Sequence, residues 1–272
     1  MQRQRWTKEE VEILKNYYSN ITIYDIEKLL PTRTKQAIQR MASFLGLKTD
    51  LSQAHSKYNI DKWFFSNIKN LESCKWAGLI ASDGYFCKGN GIGISIKRTD
   101  KILLKEFVIA TNFNGPIKDY EVINPSGNIS KMCRVNFWSA KQWREDLLNH
   151  FNITKNKSLT LKPPDKLTLE QSLSYIVGYI EGDGSIKWIR NKSGTKSLKL
   201  SIVGTEIFLN WVIGIFKQIS LSNSKIPKIH YPNNYPAWSI TGCKAFEIVD
   251  ILYYLECGYK MERKFGKDYI YG

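Results

Sequence analysis

The sequence predicts an α+β fold in which two pseudosymmetric repeats, each ordered αββαββα, follow a small three-helix domain. Three observations predict it. Trp76 to Gly84 reads WAGLIASDG and Ile176 to Gly184 reads IVGYIEGDG, so one pattern stands twice, with Asp83 and Asp183 100 residues apart. The order of apolar patterns after the first motif recurs after the second, which is the mark of an internally duplicated body. Residues 5–47 carry three short helical patterns of their own. The predicted divisions are residues 1–50, a linker at 51–70, a first repeat at 71–160 and a second at 161–272.

In the N-terminal unit, Trp6, Val11, Ile13, Leu14 and Tyr17 recur at helical spacing. Thr7 is placed as N-cap, with Glu10 three residues on to complete a capping box. Ile23 to Leu30 forms a second short helix ended by Pro31. A third follows Thr32-Arg33-Thr34, with Ala37, Ile38, Met41, Ala42 and Leu45 as its buried side and Gly46 placed to stop it. The linker carries one helical stretch, near Lys62 to Ile68.

Each motif reads as the end of an apolar helix. Strands are expected at Gly84 to Lys88 and Ile92 to Lys97, then a helix at Asp100 to Ala110. Strands near Pro116 to Val122 and Met132 to Trp138 precede a helix at Ala140 to His150. The second repeat is expected as Ser185 to Arg190, Leu198 to Val203, helix Thr205 to Ile219, Ile226 to Tyr231, Ala237 to Ile240 and helix Lys244 to Leu255. Thr154 to Lys166, with Pro163-Pro164, reads as the hinge between the repeats.

The 272 residues carry a formal charge of +15, which points to a polyanionic partner. Residues 1–50 contribute nine Lys/Arg against six Asp/Glu, so the excess lies mainly in the repeats. The five cysteines form no CxxC pair, which disfavours zinc and disulfide frameworks and suits a reducing compartment. No apolar stretch reaches membrane-span length, and MQRQRW lacks signal-peptide character. A soluble intracellular protein is expected.

A carboxylate at a helix C-terminus faces carbonyls that already carry partial negative charge, typically at a cost of up to about 1 kcal/mol. Two such aspartates, each followed by glycine, suggest a cation that needs oxygen ligands. In the first motif Trp76, Leu79 and Ile80 form one apolar face, with Gly78 and Ser82 opposite. In the second, Ile176, Tyr179 and Ile180 form the apolar face, with Gly178 and Gly182 opposite. Small residues one turn apart let two backbones approach closely. Paired along those faces, the helices would end together and bring Asp83 and Asp183 into one site. Hard oxygen ligands suit Mg²⁺ or Ca²⁺.

On these motifs the chain, over roughly residues 71–265, resembles a single-chain LAGLIDADG homing endonuclease. The resemblance implies that the two repeats' antiparallel sheets form a saddle over duplex DNA. It implies catalytic divalent metal, Mg²⁺, at Asp83 and Asp183, with the Ser82 and Gly182 carbonyls as further ligands. Ca²⁺ is expected to support binding without cleavage. A basic residue from the end of each repeat is implied near the site. Asn156-Lys157-Ser158 and Arg263-Lys264-Phe265 resemble those segments, so Lys157 and Lys264 are the candidates. One departure concerns the sixth motif position, which is usually acidic: it is Glu181 in the second motif but Ala81 in the first, which puts equal activity of the halves in doubt.

A β-ribbon fits the major groove and reads base edges. In Ile92 to Lys97 and Ser197 to Ile202, polar residues alternate with apolar ones. Ser95, Lys97, Lys199 and Ser201, joined by Arg98, Arg134, Asn136, Lys187, Arg190, Lys196 and Lys228, are the DNA-contact candidates, each alternatively a solvated surface group. The tryptophan start and PTRTKQAIQRMASFLGL ending of the N-terminal unit resemble Myb/SANT-like helix-turn-helix modules. That resemblance implies DNA contact from Arg33, Lys35, Gln36 and Gln39; the alternative is a packing module. The expected activity is site-specific double-strand DNA cleavage by a monomer. An RNA-binding maturase acting on intron RNA and a non-cleaving DNA-binding regulator are the rivals. The chain starts at Met1 and ends Tyr271-Gly272, without the ends of a splicing intein. An intron-encoded or free-standing enzyme is therefore expected, in a bacterial or phage-infected cytoplasm or an organelle matrix.

Overall fold

The structure, a computed structural model, describes residues 5–48, 58–87, 89–138, 140–190, 194–220 and 225–271. Three helices open it: α1 (Lys8–Tyr17), α2 (Ile23–Leu29) and α3 (Lys35–Phe44). Threonines cap all three, Thr7, Thr22 and Thr34, and Thr7 with Glu10 forms the predicted capping box. Each cap satisfies a backbone N–H that the helix start leaves unpaired. Gly46 takes φ +67 beyond α3, a conformation that costs a side chain but not glycine. Leu14, Ile23, Ile26, Leu30 and Ile38 form a cluster of their own beneath these helices.

The first repeat runs α4 (Leu71–Asp83), β1 (Gly84–Phe86), β2 (Ile92–Lys97), α5 (Lys101–Ala110), β3 (Lys118–Ile123), β4 (Ile129–Phe137) and α6 (Lys141–Phe151). Its strands form one antiparallel sheet in the order β1-β2-β4-β3. A short helix, α7 (Lys157–Thr160), lies in the expected hinge. The second repeat runs α8 (Leu169–Asp183), β5 (Gly184–Arg190), β6 (Lys196–Val203), α9 (Glu206–Ile219), β7 (Ala237–Thr241) and α10 (Cys243–Tyr254). Two short helices close the chain, α11 (Glu262–Phe265) and α12 (Lys267–Tyr271). The second sheet is β5-β6-β7, also antiparallel. One apolar core joins the inner faces of both sheets to α4, α8 and the flanking helices.

Two expectations are corrected. Ile226 to Tyr231 is not a strand: only His230 pairs with Ala237. Pro227 within the segment and Pro232 just after it lack the N–H a ladder needs. The Pro227 carbonyl instead accepts the Trp238 indole N–H at 3.0 Å. The second correction concerns the described part of the expected linker, residues 58–70. Ile60, Phe64 and Phe65 are buried in the main core, and the Trp143 indole donates to the Asp61 carbonyl at 2.8 Å. This stretch is a set of turns belonging to the first repeat, without the expected helix at Lys62 to Ile68. Residues 49–57 lie outside the described residues.

Candidate active site at the ends of the motif helices

Helices α4 and α8 meet through their glycines. A Cβ at Gly78 would overlap the Tyr175 carbonyl, and one at Gly178 would overlap the Lys75 carbonyl. Gly182 lies against the Ser82 side chain in the same way. Backbone therefore packs on backbone, as the small-residue faces of both motifs predict. The opposite faces serve each repeat: Trp76 stacks on Phe107 at 4.6 Å and Tyr179 packs on Phe208 at 4.3 Å. Gly84 and Gly184 follow the aspartates because the chain turns back over Ile80 and Ile180, leaving no room for a Cβ.

Both helices end at their aspartate. Burial, and then the charge of Asp183, push the Asp83 carboxyl up to about 6, against the pull of Lys264, Lys157 and Arg263. Asp183 is also raised, by burial, against the pull of Lys157 and Lys264. The two lysines complete the arrangement. Lys157 Nζ donates to the Ala81 carbonyl at 2.8 Å and to the Ser82 carbonyl. Lys264 Nζ donates to the carbonyls of Ile180, Glu181 and Gly182 at 2.7, 2.6 and 3.2 Å. Each ammonium thus answers the negative end of one motif helix. Burial lowers the affinity of both for their proton, that of Lys264 to about 8.

The donor set fits a hard divalent cation. Two carboxylates in a partly buried site carry raised proton affinity, which a cation between them would relieve. Among the described residues no cluster of three or more His, Cys, Asp or Glu forms a protein-only cage. Ser82 and Gly182 carbonyls already accept from lysine, which leaves each one lone pair.

Beside Asp183 a cavity of about 470 Å³ opens between Lys157, Tyr179, Thr205, Glu206 and Tyr235. Tyr179 OH donates to the Val203 carbonyl at 3.0 Å on its wall. The corresponding place in the first motif is Leu79, so the two aspartates have unlike neighbours. Arg263, next to Lys264, grips Asp100 of the first repeat through two bonds of 2.8 Å.

The sheets sort the predicted contact residues. In the first, Ser95 pairs with Arg134 and both share the outer face with Lys97 and Asn136. Tyr85 and Tyr120, which alternation alone did not single out, fasten that face. Tyr85 OH donates to Asn136 Oδ1 at 2.7 Å, the Ser95 and Tyr120 hydroxyls bond, and Arg134 lies over the Tyr120 ring at 5.0 Å. In the second sheet Lys187 pairs with Lys199, and Ser201 with Ser239. Arg190 and Lys196 pair with each other on the opposite face, in line with Leu198; the even register separates them from Lys187, Lys199 and Ser201. Arg98 stands just past β2 and Lys228 in the irregular segment that replaces the expected strand; both are exposed.

Arg33 is corrected. Its guanidinium donates to Glu10 at 2.8 and 2.7 Å and to the Arg5 carbonyl, and stacks on Trp6 at 4.6 Å. It braces the three-helix unit and holds the Glu10 carboxyl down to about 2, so it is withdrawn as a DNA contact. Lys35 lies over the Tyr24 ring at 4.3 Å, Gln36 is exposed and Gln39 half-buried. Among the described residues no helix is long and apolar enough to cross a membrane.

No protein-family model and no curated protein matches the chain. Solved structures do. The homing endonuclease I-WcaI bound to its DNA recognition sequence aligns with 82% of this chain and 96% of its own, at 20% identity and a TM-score of 0.53. Mesophilic variants of the homing endonuclease I-DmoI cover 72% of this chain and 97% of theirs, at 16% identity and a TM-score of 0.44. The LAGLIDADG homing endonuclease I-GzeII in complex with its DNA target covers 78% and 88%, at 13% identity and 0.43. The chain has the two-repeat LAGLIDADG homing-endonuclease fold.

Proposed function

We propose that this chain is a site-specific endonuclease that cuts both strands of duplex DNA with Mg²⁺ held by Asp83 and Asp183. One observation carries the reading: two helices whose glycines pack against each other's backbone end on two aspartates, beside two lysines contributed by the ends of the repeats. The polyanionic partner accounts for the charge of +15, since cationic surfaces bind DNA by displacing its counterions.

When bound, a divalent cation supplies Lewis acidity at the scissile phosphate and a water of lowered pKa. Asp83 and Asp183 offer the carboxylate oxygens that hold it. Ser82 and Gly182 carbonyls are the further ligand candidates, each through its remaining lone pair. Lys157 and Lys264 keep those carbonyls fixed and place positive charge where a phosphorane-like charge develops. Ser95, Lys97, Arg134 and Asn136 on one sheet, and Lys187, Lys199 and Ser201 on the other, contact the duplex on either side. Lys35, Gln36 and Gln39 of the N-terminal unit add contacts beyond them, and the protein acts as a monomer.

The test is incubation of the full chain with plasmid carrying the uninterrupted host gene. Linear product in Mg²⁺, and bound but uncut DNA in Ca²⁺, is the expected result. Absence of Mg²⁺-dependent cutting on DNA that the protein binds specifically would overturn the reading in favour of a non-cleaving regulator.

A further inference from the structure

The two motifs differ at two linked places: the first carries Lys75 and Ala81 where the second carries Tyr175 and Glu181. Lys75 Nζ lies 2.9 Å from Glu181 Oε2, with both side chains wholly excluded from water. The same ammonium sits 3.3 Å from the centroid of the Trp76 ring. The other carboxylate oxygen of Glu181 accepts the Met261 N–H at 2.7 Å. Met261 is the residue before α11, and three residues later comes Lys264, whose Nζ bonds the Glu181 carbonyl. Glu181 therefore holds the four-residue segment Met261 to Lys264 at both ends, by its side chain at Met261 and by its backbone at Lys264.

A buried ion pair gains little over apolar packing of similar volume. Stability does not explain why Lys75 and Glu181 stand where Tyr175 and Ala81 suffice in the other motif. We propose that Glu181, held in place by Lys75, is a positioning residue for Lys264: it fixes the Met261–Phe265 turn that sets this ammonium on the end of α8. The inference rests on the reading that Lys264 serves strand cleavage. Among the described residues the first repeat shows no such brace. Ala81 offers no side-chain acceptor, and Lys157 rides on α7, whose Ser158 and Leu159 are exposed. Met261 and Phe265, by contrast, are buried. Lys264 thus has a buried carboxylate bracing its segment, and Lys157 has no brace of that kind among the described residues.

Three variants of the full chain test this: Glu181→Gln, Glu181→Ala and the double change Lys75→Met with Glu181→Leu. Two readouts are used, amide hydrogen exchange along the chain and time-resolved conversion of supercoiled plasmid to nicked and linear forms. The plasmid carries a duplex that the wild-type protein selects from a randomised library. Glu181→Gln keeps an oxygen for Met261 and is expected to retain slow exchange at residues 261–265. The double variant replaces the ion pair with apolar side chains, so the rest of the fold keeps its protection. Exchange at residues 261–265 should nevertheless rise, and nicked plasmid should accumulate as one strand slows by roughly 10- to 100-fold, the usual effect of a misplaced catalytic group. Glu181→Ala should show the same local exchange and the same nicking.

Wild-type exchange at residues 261–265 in the double variant would overturn the proposal. So would protection lost evenly over the fold, or equal slowing of both strands, since a merely structural pair predicts those. A wild-type protein that cuts no DNA would instead overturn the nuclease reading, and the exchange measurement would still decide the brace.

Discussion

Asp83 and Asp183 share a partly buried site with more carboxylate than it can comfortably ionise. Replacing either with Asn keeps the shape but removes a charge from the cation site. Each variant is expected to lose double-strand cleavage in Mg²⁺ while still binding target in Ca²⁺. Normal linearisation by either would show that the two do not form one site. The same residues set a pH dependence of the metal-free protein. Asp83 rises from an ordinary value of 3.8 to about 6, so its contribution to stability is fully present below pH 3.8 and lost as pH rises through about 6. Asp83→Asn should therefore stabilise the chelator-treated protein near pH 8, by about 1–3 kcal/mol at roughly 1.4 kcal/mol for each tenfold change in proton affinity. The gain should vanish by about pH 4. Thermal denaturation at the two pH values measures it, and a variant no more stable than wild type near pH 8 would contradict the assigned burial. At this scale the aspartates were legible because a carboxylate ending a helix ahead of glycine, twice, needs a reason. The lysines came only by resemblance, since nothing local marks Lys157 or Lys264 among 40 Lys/Arg. Arg33 misled for the opposite reason: a basic residue beside a helix start reads as a contact until Glu10 and Trp6 are seen around it.

Helices were the most legible elements. Thr7, Thr34, Asn70, Thr168 and Thr205 cap their starts, and side-chain periodicity carries through each. A strand interrupted by proline was not: Ile226 to Tyr231 has the apolar content of a strand, but Pro227 within it has no N–H to give a ladder. Residues 58–70 hid for a different reason. Adjacent Phe64 and Phe65 both enter the core from turns, and turns impose no period. The element most exposed to mutation is the α4–α8 pair. Gly178→Leu or Gly182→Leu must push the helices apart, at an overpacking cost of at least about 1–3 kcal/mol, and cutting should fall with it. Chemical denaturation and plasmid cleavage test both changes together. A variant as stable and active as wild type would mean the helices do not meet as described.

For the whole molecule, the point to measure is how much the N-terminal helices add to DNA binding. Their core is separate, so their removal should leave Mg²⁺-dependent cutting intact at saturating protein. Binding should weaken, and the plot of log K against log salt should flatten by roughly 0.9 for every phosphate that is no longer neutralised. A titration over a salt series, with full-length and residue-51-onward proteins on long duplexes, measures this. Unchanged affinity and slope would make the unit a packing or partner-binding module. The duplicated plan was legible from two nonapeptides and a recurring order of elements. The inequality of the halves was legible only as Ala81 against Glu181, because its structural expression depends on Lys75 and Met261, far away in sequence.

The glycine-lined contact between α4 and α8 also bears on how the chain comes off the ribosome. Its partners lie about 100 residues apart, and pairing over such separations forms late and slowly. A nascent chain that has delivered only its first repeat holds Asp83 and Lys157 but neither Asp183 nor Lys264. The two-aspartate site comes into being only once the second helix has been made and docks, and Lys264 arrives later still, so on the proposed function a product cut short after the first repeat would carry basic surface without a complete cutting site.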